Sequence, residues 1–217
     1  MPDAIPAPLL KPQPAPPPSV YYEQKRLFDL LIVIASAPVT LPILALCALA
    51  VKLSSPGPIF FRQMRTGMHG RPFDMLKFRS MVENASELKE ELKGELEVNG
   101  PDFKLLNDPR VTRVGALLRR TSLDELPQLW NVFRGDMSLV GPRPTSFGPA
   151  TYTLWHTERL EAKPGLTGLW QVEKRGDLDF DERARLDIAY LRHRSLRLDL
   201  WIFLRTIPAV LKQRGAY

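Results

Sequence analysis

The chain has 217 residues, and its 30 Lys and Arg against 24 Asp and Glu give a formal net charge of +6. Its 44% hydrophobic and 25% charged residues are ordinary for a folded protein, which excludes a wholly disordered, collagenous or coiled-coil chain. The single cysteine, Cys47, excludes an intramolecular disulfide and a thiolate zinc cluster. The three histidines lie far apart in sequence, so we expect no structural zinc.

A proline-rich leader opens the chain. Eight of the 21 prolines fall within residues 2–18, a composition that favours extended polyproline II and offers little apolar surface to bury. We therefore predict a disordered leader over residues 1–24 that acts as a tether. The other interpretation is a ligand for a proline-binding module, but the segment has no basic-flanked PxxP motif.

A long apolar segment follows at residues 25–53, and 22 consecutive positions from Leu30 to Val51 carry no charged side chain. A helix over this segment reaches roughly 40 Å, enough to cross a bilayer. Basic residues flank both ends, which favours the cytoplasmic side for both, and one crossing satisfies only one flank. The flanking residues are Lys25 and Arg26 before the segment, and Lys52, Arg62, Arg65 and Arg71 after it.

Two prolines near the middle of this segment, Pro38 and Pro42, each remove a backbone donor, and Ser36 and Thr40 are placed to bond the freed carbonyls. We predict a re-entrant membrane helix that turns back at one of these prolines. A simple span is the second interpretation. A buried core helix is the third, and it has to explain an apolar surface all round on a small protein.

The rest of the chain, 54–217, is predicted to be one α+β domain, mostly helical. Residues 59–62 and 73–78 have strand and turn chemistry typical of a small β-hairpin. Residues 81–98 are rich in Glu and Lys with leucines four apart, which indicates a solvated amphipathic helix. Residues 181–213 predict one or two amphipathic helices in the plane of the lipid headgroups.

Chemistry-bearing residues concentrate at 118–144, where the adjacent carboxylates Asp124 and Glu125 stand among arginines. A local explanation exists, because Ser122 and Glu125 match a capping box and acidic residues stabilise a first helical turn. The arginines favour a second explanation, a phosphate site in which the pair holds a divalent cation and presents a nucleophilic oxygen. The arginines concerned are Arg113, Arg119, Arg120, Arg134 and Arg143.

Several long motifs follow one another in order from residue 25 to the end: KRLFDLL, KLSSPGPIFFRQ, FDMLKFRSM, LRRTSLDELPQLWNVFRGDMSLVGPRP, KPGLTGLWQV, ERARLDIAYL and RGAY. On these motifs the chain resembles the bacterial sugar transferases, also called small monotopic phosphoglycosyl transferases or polyprenyl-phosphate sugar-1-phosphate transferases. It is similar in particular to the undecaprenyl-phosphate galactose or glucose phosphotransferases. The proline-rich leader lies outside the resemblance.

The resemblance implies transfer of sugar 1-phosphate from a UDP-sugar to polyprenyl phosphate, with release of UMP, at the cytoplasmic face of the bacterial inner membrane. This is the first membrane step of exopolysaccharide, capsule or O-antigen synthesis. It implies Asp124 as nucleophile, forming a covalent aspartyl phosphosugar, Glu125 as a ligand of Mg²⁺ beside Asp124, and Lys77, Arg119 and Asp187 as further catalytic residues. Arg143, with Arg120 and Arg113, is expected to bind substrate phosphates. Membrane lipids are expected partners, and a homodimer is compatible with the family.

The residues also have plainer explanations. Lys77 fits the exposed face of a strand, Asp187 fits a surface pair with Arg183 or Arg185, and Arg119 fits contact with lipid headgroups. For the whole chain, the alternative to the enzyme is a non-catalytic membrane scaffold. We exclude nucleic-acid binding because no motif for it accompanies the positive charge.

One departure from the family concerns the kink. Family members usually carry Ser-Pro there, whereas this chain has Leu41-Pro42 and an additional Ser36-Ala37-Pro38. The break is therefore assigned to Pro38 or Pro42 without a choice between them. The sequence does not specify the sugar, although the RGAY ending mildly favours galactose or glucose.

Overall fold

The fold is taken from a computed structural model that describes residues 18–85, 87–88, 108–145, 153–173 and 179–211. The predicted leader before residue 18 and most of the predicted charged helix at 81–98 lie outside these ranges. In chain order the helices and strands are α1 Pro18–Ser54, β1 Phe60–Thr66, β2 Pro72–Phe78, α2 Arg113–Thr121, α3 Gln128–Arg134, β3 Ser138–Val140, β4 Gly165–Thr167, α4 Leu169–Glu173, α5 Phe180–His193 and α6 Leu196–Leu211.

The apolar segment forms one continuous helix of 37 residues, α1, which begins seven residues before the predicted boundary at 25. Pro18 suits the first turn, where a backbone donor has no partner to lose. The helix continues through Pro38 and Pro42, and the Ser36 hydroxyl donates to the Val33 carbonyl at 3.1 Å, near the first of these prolines. Only 6% of its most apolar 18-residue stretch is buried, so the core-helix interpretation is wrong.

The N-terminal part of α1 is fixed to the rest of the fold by buried polar contacts. Lys25 Nζ lies 2.9 Å from Oδ2 of Asp199, and both side chains are almost fully buried. The same carboxylate accepts hydrogen bonds from the hydroxyls of Tyr21 and Tyr190 at 2.9 and 2.7 Å. Because a buried charge is tolerated only when it is paired and hydrogen-bonded, this network fixes the position of α1 on α6.

The C-terminal part of α1 packs on a different region of the same domain. Val51 joins a small apolar cluster with Phe78 of β2 and Leu118 of α2. Just beyond the helix, the Arg79 guanidinium donates to the carbonyl and hydroxyl oxygens of Ser55 at 2.7 and 2.9 Å. Both ends of the apolar helix therefore contact one domain.

Two short sheets support the remaining elements. Strands β1 and β2 form an antiparallel hairpin in which Phe60 pairs with Phe78 and Thr66 with Pro72, which confirms the predicted hairpin. Strands β3 and β4 pair in parallel, a pairing that was not predicted from the sequence. The predicted C-terminal amphipathic region is two helices, α5 and α6.

The main core lies where α1, α3, the β3–β4 pair, α5 and α6 meet. Its fully buried members come from elements far apart in the sequence, so the core fixes these elements relative to one another. They include Val132, Met137, Val140, Leu169, Leu198 and Ile202.

Candidate active site

The carboxylate pair lies in a sharp connection between α2 and α3. Helix α2 ends at Thr121, Ser122 adopts a left-handed conformation with φ 58°, and Leu123–Glu125 form a 3₁₀ turn. A positive φ is uncommon for a residue other than glycine, and such backbone occurs often at functional sites. The predicted capping box is wrong, because the Ser122 side chain makes no capping hydrogen bond. The Glu125 carboxylate is instead bonded to Lys77 and Arg143.

Glu125 is neutralised by two cations from distant parts of the chain. Its Oε1 accepts a hydrogen bond from Nζ of Lys77 at 3.0 Å, and Oε2 accepts from Nη1 of Arg143 at 3.2 Å. Burial alone raises the pKa of Glu125, but Arg143 and Lys77 more than offset it, so the pKa lies well below its usual range. Glu125 is therefore ionised at any physiological pH.

Asp124 has the opposite environment. It forms no hydrogen bond or ion pair with any residue in the part of the chain that the structure describes. Burial, together with the charge of Glu125, raises the pKa of Asp124 to about 6, although Lys77, Arg119 and Arg143 lie near enough to oppose the shift. One carboxylate of the pair is thus held by two cations, and the other has no bonded partner among the described residues.

Arg119 is held beside Asp124 by the contact between α2 and the strand-end residue Ser80. Its Nε donates to the Ser80 hydroxyl at 2.8 Å. Burial lowers the pKa of Arg119, and the neighbouring Asp124 opposes that effect. Gly115 allows the close approach of α2, because a Cβ there would lie 1.9 Å from the Ser80 carbonyl oxygen.

Asp187 lies behind the site and contacts neither carboxylate of the pair. It is buried on α5, where its Oδ2 accepts from Nε of Arg159 at 3.1 Å, and Arg159 in turn donates from Nη2 to the Arg143 carbonyl at 2.7 Å. Burial raises the pKa of Asp187 to about 6 despite Arg159. The alternative of a surface pair is wrong, since Asp187 is only 1% exposed.

Arg159 is a residue of this network that was not identified from the sequence. No motif or charge pattern marks it, and its link to Asp187 spans 28 residues. It connects Asp187 to the backbone of Arg143, so it positions the guanidinium that holds Glu125.

The remaining predicted residues divide clearly. The Lys77 side chain is only 20% exposed and is paired with Glu125, so the interpretation of Lys77 as a residue on the exposed face of a strand is wrong. Arg120 is exposed on α2, one residue beyond Arg119. Arg113 is the first residue of α2, roughly 12 Å of helix from Thr121. The structure therefore gathers Lys77, Arg119 and Arg143 around the pair and leaves Arg113 at the far end of the helix.

The family model of the bacterial sugar transferases matches residues 20–213. The chain belongs to the bacterial sugar transferase family. Its relatives include a UDP-galactose-lipid carrier transferase of Erwinia amylovora, 45% identical over 198 residues, and the exopolysaccharide production protein ExoY of Rhizobium meliloti, 42% identical over 201 residues. A UDP-glucose:undecaprenyl-phosphate glucose-1-phosphate transferase of Caulobacter vibrioides is 43% identical over 205 residues.

Each of these three alignments covers 89% of this sugar transferase. They cover 41% of the Erwinia protein, 88% of the Rhizobium protein and 72% of the Caulobacter protein. The chain therefore spans about two fifths of the first relative and most of the other two.

The carboxylates of this sugar transferase fit a magnesium ion only if substrate phosphates supply further ligands. Within the described ranges, no group of three or more His, Cys, Asp or Glu could hold a metal ion. Magnesium is commonly bound through one or two carboxylates plus substrate phosphates, with water completing the octahedron. Asp124 and Glu125 supply the two carboxylates, and Asp124 has no competing cation bonded to it.

Proposed function

We propose that the chain transfers sugar 1-phosphate from a UDP-sugar to polyprenyl phosphate, giving a polyprenyl diphosphate sugar and UMP. The observation that carries this proposal is the unpaired Asp124 beside a Glu125 that Lys77 and Arg143 neutralise. The activity for which the Caulobacter relative is named, from UDP-glucose to undecaprenyl phosphate, is support from similarity. The name of the Rhizobium relative, an exopolysaccharide production protein, supports a place in exopolysaccharide synthesis.

In the first step, an Asp124 oxygen attacks the β-phosphorus of the donor. A bond forms between this oxygen and phosphorus, the bond from phosphorus to the bridging oxygen breaks, and the electron pair leaves on UMP. Such an attack brings anions together, so cations must disperse their charge. Arg119 lies beside Asp124. Lys77 and Arg143 are bonded to the adjacent carboxylate, Glu125. Magnesium, held by Asp124 and Glu125, would supply further charge neutralisation at the phosphates.

In the second step, a phosphate oxygen of the lipid attacks the phosphorus of the aspartyl phosphosugar. The bond to Asp124 breaks, the diphosphate forms, and the Asp124 carboxylate is regenerated. Because Asp124 is the leaving group in this step, a weakly basic carboxylate departs more easily than a more basic group would. The scheme is ping-pong, with UMP released before the lipid reacts.

We further propose that α1 is re-entrant and that the site faces the cytoplasmic surface of the membrane. Both ends of α1 pack on one domain, whereas a simple span places its ends on opposite sides of a bilayer about 30 Å thick. Helix α6 supports the same placement, because Leu200, Leu204 and Ile207 are exposed beside Arg197 and Arg205.

The test uses purified full-length chain with magnesium and a panel of UDP-sugars. With donor alone, the wild type is expected to release UMP and to gain the mass of one sugar phosphate on Asp124. The Asp124→Asn variant is expected to lose turnover by at least about a thousandfold, because the nucleophile is removed. The sugar that supports turnover then identifies the donor.

The matched control is Asp74→Asn, an exposed position on β2 whose side chain points away from Lys77. It is expected to keep wild-type turnover. Retained turnover in Asp124→Asn, or an active wild type without the added mass, rejects the covalent mechanism. No UMP from any donor leaves the membrane scaffold as the better hypothesis.

A further inference from the structure

A cavity separate from the site of Asp124 lies where the first turns of α1 meet the segment before β4 and the end of α5. It has a volume of about 230 Å³, somewhat below the roughly 300–1,000 Å³ of pockets for drug-sized ligands. We name it the Lys163 cavity. Its walls include Tyr22, Arg26, Lys163, Tyr190 and Arg194. None of the five residues assembled at the active site lines it.

The Lys163 cavity has an excess of positive charge. Lys163 and Arg194 form no ion pair within the described residues, and the Arg194 guanidinium lies over the Tyr22 ring, 5.5 Å from its centroid. Lys163 Nζ and the Arg26 guanidinium both approach Gly135, and a Cβ added to this glycine would lie 3.5 and 3.6 Å from them. Burial and the charge of Arg26 lower the pKa of Lys163, although the charges of Asp29 and Asp136 oppose the shift. Two like charges side by side are stabilised when an anion joins them.

One carboxylate, Asp29, also lines the cavity, but it is already engaged. Its Oδ1 accepts from the backbone N–H of Leu139 at 3.0 Å. Arg26 likewise donates to the carbonyls of Val132 and Phe133 at 2.5 and 2.6 Å. The cations that remain for a ligand are therefore Lys163 and Arg194.

The position of the cavity along α1 indicates where such a ligand comes from. Arg26 lies immediately before exposed Leu27 and Leu31, at the start of the apolar part of the helix. If α1 enters the membrane as proposed above, this end lies at the level of the lipid headgroups, where phosphate groups are concentrated.

The cavity is also distant from the reacting carboxylate. Arg26 binds carbonyls at the C-terminal end of α3, whereas Asp124 precedes the N-terminal end, and nine residues of helix-like rise separate them by roughly 13 Å. A phosphate held by Lys163 is therefore not the one that attacks at Asp124.

We propose that the Lys163 cavity binds the phosphate group of an anionic membrane phospholipid. Lys163 and Arg194 contact the phosphate, and the tyrosine rings contact the glycerol portion of the headgroup. Since α1, α5 and the segment before β4 all line the cavity, a bound lipid strengthens the attachment of the membrane helix to the domain. The inference depends on the proposed membrane insertion of α1 and not on the chemistry at Asp124.

The test measures binding of soluble short-chain lipids to the detergent-solubilised full-length chain by calorimetry. The probes are dihexanoylphosphatidylglycerol, dihexanoylphosphatidylcholine and inorganic phosphate. We expect phosphatidylglycerol to bind with one-to-one stoichiometry and at least about tenfold more tightly than the other two. The double variant Lys163→Gln, Arg194→Gln is expected to weaken its binding by at least about tenfold, since each charged contact is worth that order of affinity.

The matched control is Arg185→Gln, Arg192→Gln, which removes the same charge from exposed positions of α5 outside the cavity. It is expected to bind phosphatidylglycerol like the wild type. Equal weakening in the control variant shows general surface attraction and overturns the proposal. Equal affinity for phosphatidylcholine or inorganic phosphate also overturns it. If the double variant fails to fold, Lys163→Gln alone must weaken binding by at least about threefold.

The outcome is separable from that of the proposed function. Asp124→Asn is expected to bind phosphatidylglycerol as the wild type does. If the chain binds the lipid but releases no UMP, the transferase mechanism is rejected and lipid binding in the Lys163 cavity is supported. If the chain releases UMP but binds phosphatidylglycerol no better than the double variant, lipid binding in the Lys163 cavity is rejected.

Discussion

The pKa values of two neighbouring carboxylates shift in opposite directions in this protein, Glu125 downwards and Asp124 upwards. The cause is the contacts that each carboxylate makes. Glu125 is bonded to Lys77 and Arg143, which stabilise its charge. Asp124 is half-buried beside that charge without a bonded cation, which disfavours its own ionisation. A pKa near the working pH is typical of a group that reacts.

The first prediction concerns pH and activity. Asp124 must be ionised to attack phosphorus, so UMP release with donor alone is expected to fall as the pH drops below about 6. Single-turnover rates between pH 5 and 8 measure this acidic limb of the pH–rate profile. Lys77→Gln removes a cation that lowers the pKa of Asp124, so it is expected to move the limb to higher pH. A limb that stays fixed in this variant would contradict the assignment of the limb to Asp124.

The second prediction concerns pH and stability. Because the pKa of Asp124 is about 6 in the folded chain and 3.8 is the usual value, the fold loses stability as the pH rises from 3.8 to about 6, and the loss is complete above that. Asp124→Asn is therefore expected to raise the free energy of unfolding by roughly 1–3 kcal/mol at pH 7.5. This gain shrinks as the pH falls to 5, where the wild type is itself protonated. Denaturant unfolding at both pH values gives the comparison, with Asp74→Asn expected to be neutral.

Among the helices, α2 shows how one close contact sets the position of a functional side chain, Arg119. Thr112 caps the helix by accepting from the Gly115 backbone N–H at 2.9 Å, and the Thr112 N–H donates to the Ser80 carbonyl at 3.1 Å. Only a residue without a side chain allows this approach. A helix held this way carries Arg119 to a fixed place beside Asp124.

The third prediction follows from this contact. Gly115→Ala is expected to push α2 away from Ser80, which lowers the free energy of unfolding by roughly 1–3 kcal/mol. The displacement of Arg119 is expected to lower turnover by about tenfold or more. Thermal unfolding and UMP release test both parts. Ala116→Ser, on the exposed side of the same helix, serves as control, and an equal loss there would remove the explanation through Ser80.

Across the molecule as a whole, the apolar helix is joined to the domain at both ends. Lys25 and Asp199 form the first attachment, and Val51 with Leu118 forms part of the second. The proposed lipid site lies at the first attachment. The proposed reaction takes its donor from the cytosol and its acceptor from the membrane, which is consistent with a domain attached to both ends of one apolar helix.

The fourth prediction concerns topology. Gln24→Cys and Ser54→Cys, placed singly in a Cys47→Ser background, occupy exposed positions near the two ends of α1. Both are expected to react with a membrane-impermeant maleimide only from the cytoplasmic side of oriented vesicles. Labelling of the two positions from opposite sides would show that α1 is a simple span and not a re-entrant helix.

Much of this protein follows from local sequence alone. The long apolar helix, the hairpin and the C-terminal amphipathic helices depend on composition, turn residues and motifs within short stretches. Such features are set by interactions between residues close in the chain. The continuous course of α1 through Pro38 and Pro42, its start at Pro18 and the parallel pairing of β3 with β4 were not predicted.

The tertiary structure decided which charges meet. Lys77 and Arg143 reach Glu125 across 48 and 18 residues, Arg159 reaches Asp187 across 28, and Lys25 reaches Asp199 across 174. Sequence spacing contains no information about such partners, because they are selected by how the core packs and by the need to pair each buried charge. The sequence therefore determined which residues are candidates for the site, and the packing of the elements decided that Glu125 is paired with two cations while Asp124 is bonded to none of the described residues.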